Sequence, residues 1–280
     1  MIIFICILSG IIGLYLLGTL LLSFLVQRFP RNPVHEKPDW GRLTDTTIPA
    51  SDGGHLEVWR VEPDGRPRGT VVLAHGWGRN RDRMVPRARI FAQLGFTTVM
   101  HSARDHGGSS RSRLVNAVMF AQDMATVIDW IGEPVLLYGH SAGAAGAIIA
   151  AHENPDKVRL LFLEACYADT KTGLLSLYKW ANRMFGTFVA PMIIFWWDVF
   201  YRGAMDRYSP INLAPDLRMP VMIIHGEKDR RFPVSFAHTL KRCFAPDQAD
   251  MYIAPGAGHS DSSLTPGYAA AITAFIDRFL

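Results

Sequence analysis

Short runs of β-branched and apolar residues recur along the chain, separated by longer stretches in which Leu, Met, Ala and Phe return every three or four positions. The runs are LEVWRV (56–61), TVVLAH (70–75), TTVMHS (97–102), PVLLYG (134–139), VRLLFLEA (158–165), PVMIIHG (220–226) and ADMYIA (249–254). Their length and near-continuous apolarity predict strands buried on both faces, and the stretches 83–94, 115–131, 142–152, 234–244 and 267–279 predict helices. Strands of this kind alternating with helices imply an α/β fold, with a mostly parallel central sheet flanked by helices.

Two stretches break this rhythm. Residues 2–26 carry no charged side chain, and at about 1.5 Å per helical residue they can cross a hydrocarbon layer about 30 Å thick. A transmembrane anchor is expected rather than a cleaved signal peptide, because no basic region precedes the run and no A-x-A site follows it. Arg28, Arg31, Lys37 and Arg42 follow the run, which favours a cytoplasmic location for the rest of the chain. Residues 27–45, rich in Pro and charge, read as a juxtamembrane linker, and 46–280 as the folded domain. Removal of the first 30 residues is expected to release that domain in soluble form. The second stretch, 170–208, is helical in character and heavy in aromatic residues. It reads as an insertion over the sheet, either an ordinary buried helical pair or a cap covering an apolar substrate cavity.

The 280 residues are 49% apolar, enough for a large core, and the net charge of +4 gives no reason to expect a nucleic-acid partner. Arg79, Arg81, Arg83, Arg87 and Arg89 nevertheless crowd one predicted helix; they form either a solvated face or one that attracts anionic headgroups. Cys6, Cys166 and Cys243 are too scattered for a disulfide framework. His75, His101, His106, His140 and His225 lack any metal-ligand spacing, so no metal site is expected.

Candidate chemistry centres on the stretch 134–149, PVLLYGHSAGAAGAII, which runs from a strand into a helix with Ser141 at the joint. In Gly139-x-Ser141-x-Gly143 the glycines permit the sharp turn that exposes a nucleophile, and the helix that follows aims backbone N–H groups at a developing oxyanion. A serine hydroxyl needs a base to take its proton. His259, in the glycine-rich loop after the last strand, is the candidate, and Asp229, just past the strand at 220–226, would orient it. Glu164 and Asp261 are alternative acids. The glycines of LAHGWGRNRDRM (73–84) allow a second oxyanion donor, for which the N–H of Trp77 is chosen beside that of Ala142.

The motifs HGWG, RDHGGS (104–109), GHSAG, HGEKD and GAGH stand in an order and spacing that resembles the α/β-hydrolase superfamily, especially its lysophospholipase-like and serine aminopeptidase-like branches. The resemblance runs from about residue 50 to the end and implies catalytic roles for Ser141, Asp229 and His259. It implies oxyanion roles for Trp77 and Ala142, and a structural role for the loop holding Asp105 and His106. The expectation is a cofactor-free serine hydrolase acting on acyl or lipid-like esters at a membrane, with Trp77, Trp180, Phe195 and Trp196 lining the substrate cavity. A peptidase or thioesterase using the same triad, and a non-catalytic membrane-bound binding protein, are the alternatives.

Overall fold

A computed structural model describes residues 1–28, 30–112 and 115–280. Phe29 of the expected linker and Arg113 and Leu114 of the expected domain lie outside them. The elements in chain order are α1 (Ile2–Leu25), β1 (Arg42–Pro49), β2 (His55–Glu62), β3 (Thr70–Ala74), α2 (Val85–Gln93), β4 (Thr97–His101), α3 (Ala117–Ile131), β5 (Val135–His140), α4 (Ala142–Glu153) and β6 (Val158–Glu164). There follow α5 (Thr170–Ala181), α6 (Arg183–Phe188), α7 (Ala190–Phe200), α8 (Ala204–Arg207), α9 (Pro210–Leu213), β7 (Val221–Gly226), α10 (Ser235–Lys241), β8 (Ala249–Ala254) and α11 (Tyr268–Phe279).

The eight strands form one sheet in the order β1-β2-β4-β3-β5-β6-β7-β8. β2 runs antiparallel to both β1 and β4, and every other pairing is parallel. β3, β4, β5 and β7 are buried along their whole length, because helices cover both faces. On one face Phe120, Met124 and Val127 of α3, Ile148 of α4 and Leu240 of α10 close the core. Val85 and Phe91 of α2 with Ile272 and Phe275 of α11 close the other. Chain order reverses between β3 and β5, and at such a switch point the loops beyond the carboxyl ends of the strands open a crevice.

One strand escaped the sequence reading. β1 begins inside the stretch read as linker and pairs with β2 from Arg42↔Glu62 to Pro49↔His55. As an edge strand it leaves Arg42, Thr44, Asp45, Thr47 and Pro49 exposed, so no apolar run marks it. The residues before it are also held against the body. The Asn80 side chain donates to the carbonyls of Asn32 and Pro33 at 3.0 Å each, and the His35 N–H donates to Asp82 at 2.8 Å.

α1 is long and apolar enough to cross a membrane, yet its second half does not stand apart. Trp197 of α7 donates its indole N–H to the Ser23 carbonyl at 2.9 Å, and Trp196 donates to the Thr19 hydroxyl at 3.1 Å. Tyr15 donates to the Phe188 carbonyl, and Leu22 and Val26 pack on the cluster of Ile193, Ile194 and Trp197. Phe195 and Phe188 remain exposed beside the apolar outer face of α1. This docking revises the consequence expected from deleting residues 1–30. Loss of two indole hydrogen bonds, about 1 kcal/mol each, should lower Tm by roughly 4–8 °C. The bared α7 should keep the truncated chain dependent on detergent, as size-exclusion chromatography with and without detergent would show. A monodisperse, detergent-free protein of unchanged Tm would count against the docked arrangement.

Candidate active site

Ser141 lies between the last residue of β5 and the first of α4, with φ 58° and ψ −120°. A non-glycine residue holds such a conformation at a cost of roughly 1–3 kcal/mol, only where its surroundings impose it. Here the neighbours do so. A Cβ on Gly139 would lie 2.3 Å from the Gly143 carbonyl oxygen, and one on Gly143 would lie 2.4 Å from that of His75. The glycines therefore let the strand, the helix and the end of β3 meet around the serine. The Ser141 N–H donates to the Glu164 carbonyl at 2.9 Å, tying the corner to β6.

The structure brings together three residues far apart in the chain. Ser141 Oγ lies 2.9 Å from His259 Nε2, and His259 Nδ1 lies 2.7 Å from Asp229 Oδ2. Asp229 Oδ1 accepts the N–H groups of Arg231 at 2.8 Å and Phe232 at 3.0 Å. Burial alone would raise the Asp229 pKa. The hydrogen bond and charge of His259, with the Phe232 N–H, outweigh burial and hold the carboxyl below its ordinary value. His140, next to the serine, donates from Nε2 to the His259 carbonyl at 3.0 Å. Burial pushes its pKa down to about 3, which keeps its ring neutral.

The two alternative acids sit elsewhere. Glu164 receives the Arg87 guanidinium and, at 2.6 Å, the Tyr138 hydroxyl. Asp261 lines a pocket beside His259. Neither takes the place of Asp229 at Nδ1.

The loop after β3 passes directly against Ser141, since a Cβ on Gly76 would come within 3.0 Å of Ser141 Cβ. Two histidines fix its path. His75 accepts the Ala103 N–H on Nε2, so its proton is on Nδ1, which donates to the Gly76 carbonyl at 2.7 Å. His106 likewise accepts the Gly78 N–H on Nε2 and donates from Nδ1 to the Arg104 carbonyl. Burial lowers both pKa values. Asn32 donates to the Gly78 carbonyl, so the segment following α1 also braces this loop. Ala142 begins α4, where a backbone N–H has no preceding turn to bond.

Two pockets open near the site, one at Trp77 of the loop after β3 and the other at His259. The first is apolar, lined by Trp77, Tyr167, Leu174, Trp197 and Tyr208, with Gln27 of the segment after α1 at its wall. The second, about 360 Å³, is lined by His259, Trp180 and several cationic side chains. Trp77 thus lines the apolar pocket, whereas Trp180 faces the cationic one under the Arg231 guanidinium, 4.2 Å from its ring centroid. Phe195 and Trp196 line neither pocket. On α7 the buried set Ile193, Ile194 and Trp197 turns inward, leaving Phe195 exposed and committing Trp196 to α1. Tyr167, Tyr201 and Tyr208, missed in the sequence reading, line the cavity instead.

Residues 65–197 match the family model described as serine aminopeptidase, S33. The chain is 23% identical to protein bem46 of Schizosaccharomyces pombe over 79% of its own length and 71% of that protein's. It is 24% identical to the monoacylglycerol lipase of Mycolicibacterium smegmatis over 72% and 84% of the two chains. Among solved structures, the Pyrococcus furiosus esterase Pf2001 superposes with a TM-score of 0.70 at 16% identity, covering 90% of this chain and 99% of that one. With the sheet order, the strand-to-helix corner at Ser141 and these likenesses in agreement, the chain has the α/β-hydrolase fold and is similar to members of that superfamily.

Proposed function

We propose that this protein is a serine hydrolase cleaving carboxylic esters with acyl or lipid-like chains, tethered to a membrane through α1 with the catalytic domain on the cytoplasmic side. The observation that carries this reading is the hydrogen-bonded line from Asp229 through His259 to a serine held at positive φ. His259 Nε2 takes the Ser141 proton as Oγ attacks the ester carbonyl, and the tetrahedral oxyanion rests on the N–H groups of Ala142 and Trp77. Collapse of this intermediate forms the acyl-enzyme, the imidazolium giving its proton to the departing alkoxide. Water activated by the same imidazole then releases the acid. Trp77 joins the oxyanion loop to the apolar pocket, which supports placing the acyl chain there. The names of the bacterial and archaeal relatives, a monoacylglycerol lipase and an esterase, support the same substrate class.

An aminopeptidase would need an anionic group to hold the substrate amine. The polar pocket at His259 instead sets Asp261 among cations, which favours the ester reading. A fluorophosphonate probe should label the wild-type protein and leave Ser141→Ala unlabelled. In a panel of esters, thioesters and aminoacyl amides, the esters should be hydrolysed fastest. Equal labelling of both proteins, or a preference for amides, would sink the proposal.

A further inference from the structure

The five arginines crowded between positions 79 and 89 separate into two groups in the fold. Arg81 pairs with Asp45 at 2.8 Å and Glu57 at 3.5 Å, Arg87 pairs with Glu164, and Arg89 pairs with Asp39 at 2.6 Å. Arg79 and Arg83 make no ion pair among the described residues, and both line the pocket beside His259. The loop after β7 brings Lys228, Arg230 and Arg231 to the same pocket, where Asp261 is the sole acidic lining residue among the described residues. The buried Arg83 Nε has no hydrogen-bond partner among the described residues. Burial and the neighbouring charges of Arg87 and Arg79 lower the Arg83 pKa, and burial with Arg79 lowers that of Arg231. Five cations converging on one cleft repel one another, and a bound anion relieves that repulsion.

We propose that this pocket binds a phosphate group carried on the alcohol half of the ester, so that the substrate is an acyl ester of a phosphorylated alcohol. The assignment rests on the serine-esterase reading, because it uses the side from which the alcohol leaves. His259 delivers a proton to that alcohol and lines the cationic pocket, whereas the apolar pocket meets the site at Trp77. The acyl chain and the phosphate then occupy opposite sides of the scissile bond. Guanidinium forks match phosphate oxygens in pairs, and a dianion engages several of them at once where one carboxylate would satisfy a single fork.

The test compares 1-hexanoylglycerol with 1-hexanoylglycerol 3-phosphate, both short enough to stay dispersed, using the full chain in neutral detergent without anionic lipid. The phosphorylated ester should have a kcat/KM higher by about tenfold or more, expressed mainly in KM. Arg83→Gln and, separately, the more exposed Arg230→Gln should each reduce that ratio several-fold, with thermal melts confirming folding. Arg66→Gln, in the exposed loop before β3, should leave the ratio as in wild type. A wild-type ratio near one, or a ratio insensitive to both pocket substitutions, overturns the proposal. So does competitive inhibition by inorganic phosphate without preference for the phosphorylated ester, which would make the pocket a site for the free ion. If the neutral ester is hydrolysed and Ser141 is labelled while the ratio is one, the phosphate assignment alone fails. If neither ester is cleaved and the probe does not label Ser141, the esterase reading fails and takes this inference with it.

Discussion

Asp229→Asn should turn over a soluble short-chain ester roughly 10⁴-fold more slowly than wild type near neutral pH while remaining folded. The size of the effect follows from the orientation the new amide must adopt. Asp229 Oδ1 accepts two backbone N–H groups, from Arg231 and Phe232, so the amide oxygen of the variant must occupy that position. Its NH₂ then faces His259 Nδ1, where the wild-type carboxylate oxygen lies 2.7 Å away. A ring nitrogen facing a donor must accept, which moves the imidazole proton to Nε2 and points an N–H at the Ser141 hydroxyl. The base is lost although every atom is nearly in place. His225 offers no remedy, because its Nε2 already donates to the Phe232 carbonyl at 2.7 Å. Steady-state kcat/KM with a thermal melt checks the expectation. Activity within tenfold of wild type would return Asp261 to consideration as the orienting acid.

How much of this was legible in the sequence depends on which residues carry a one-dimensional signal. Strands buried on both faces announce themselves, and Ser141 and Asp229 each follow such a strand, at the ends of β5 and β7, while His259 follows the half-buried edge strand β8, whose residues still include an apolar run. β1 did not, because an edge strand with one wetted face carries no apolar run. The inward face of α7 was hidden for the opposite reason. In APMIIFWWDVF almost every position is apolar, so periodicity cannot tell Trp197, which lines the cavity, from Trp196, which bonds to α1. The arginines were visible as a cluster, but their division depends on Asp39, Asp45 and Glu164, acids far away in the chain. The docking of α1 against α7, through ordinary Thr and Ser residues in an apolar helix, also appears only in three dimensions.

Arg87→Met should destabilise the protein by about 3–5 kcal/mol at neutral pH, the cost of leaving a buried carboxylate without its partner. Glu164 is completely buried at the end of β6, and Arg87 from α2 is its only ion-pair partner among the described residues. Burial alone would raise the Glu164 pKa; the Arg87 charge and hydrogen bonds, with the Tyr138 hydroxyl, outweigh it and hold the value at about 2. In wild type, therefore, the carboxylate's contribution is present above its unfolded pKa and is lost only as pH falls through the folded one. In Arg87→Met the sign reverses. With desolvation unopposed the folded pKa rises above the unfolded one, so the defect should be greatest at neutral pH and shrink as acid protonates Glu164. Chemical denaturation at a series of pH values reads this directly, and Arg87→Met/Glu164→Gln should recover much of the loss, because the amide can still meet Tyr138. A defect independent of pH, or one the double variant fails to relieve, would assign the effect to lost packing. The pair also reaches the site, since Arg87 donates to the Ser260 carbonyl at 3.2 Å and the Glu164 carbonyl accepts the Ser141 N–H. One buried ion pair thereby holds the Ser141 corner and the residue after His259 to the same core. Any Arg87→Met protein that folds should consequently lose kcat more than it gains KM.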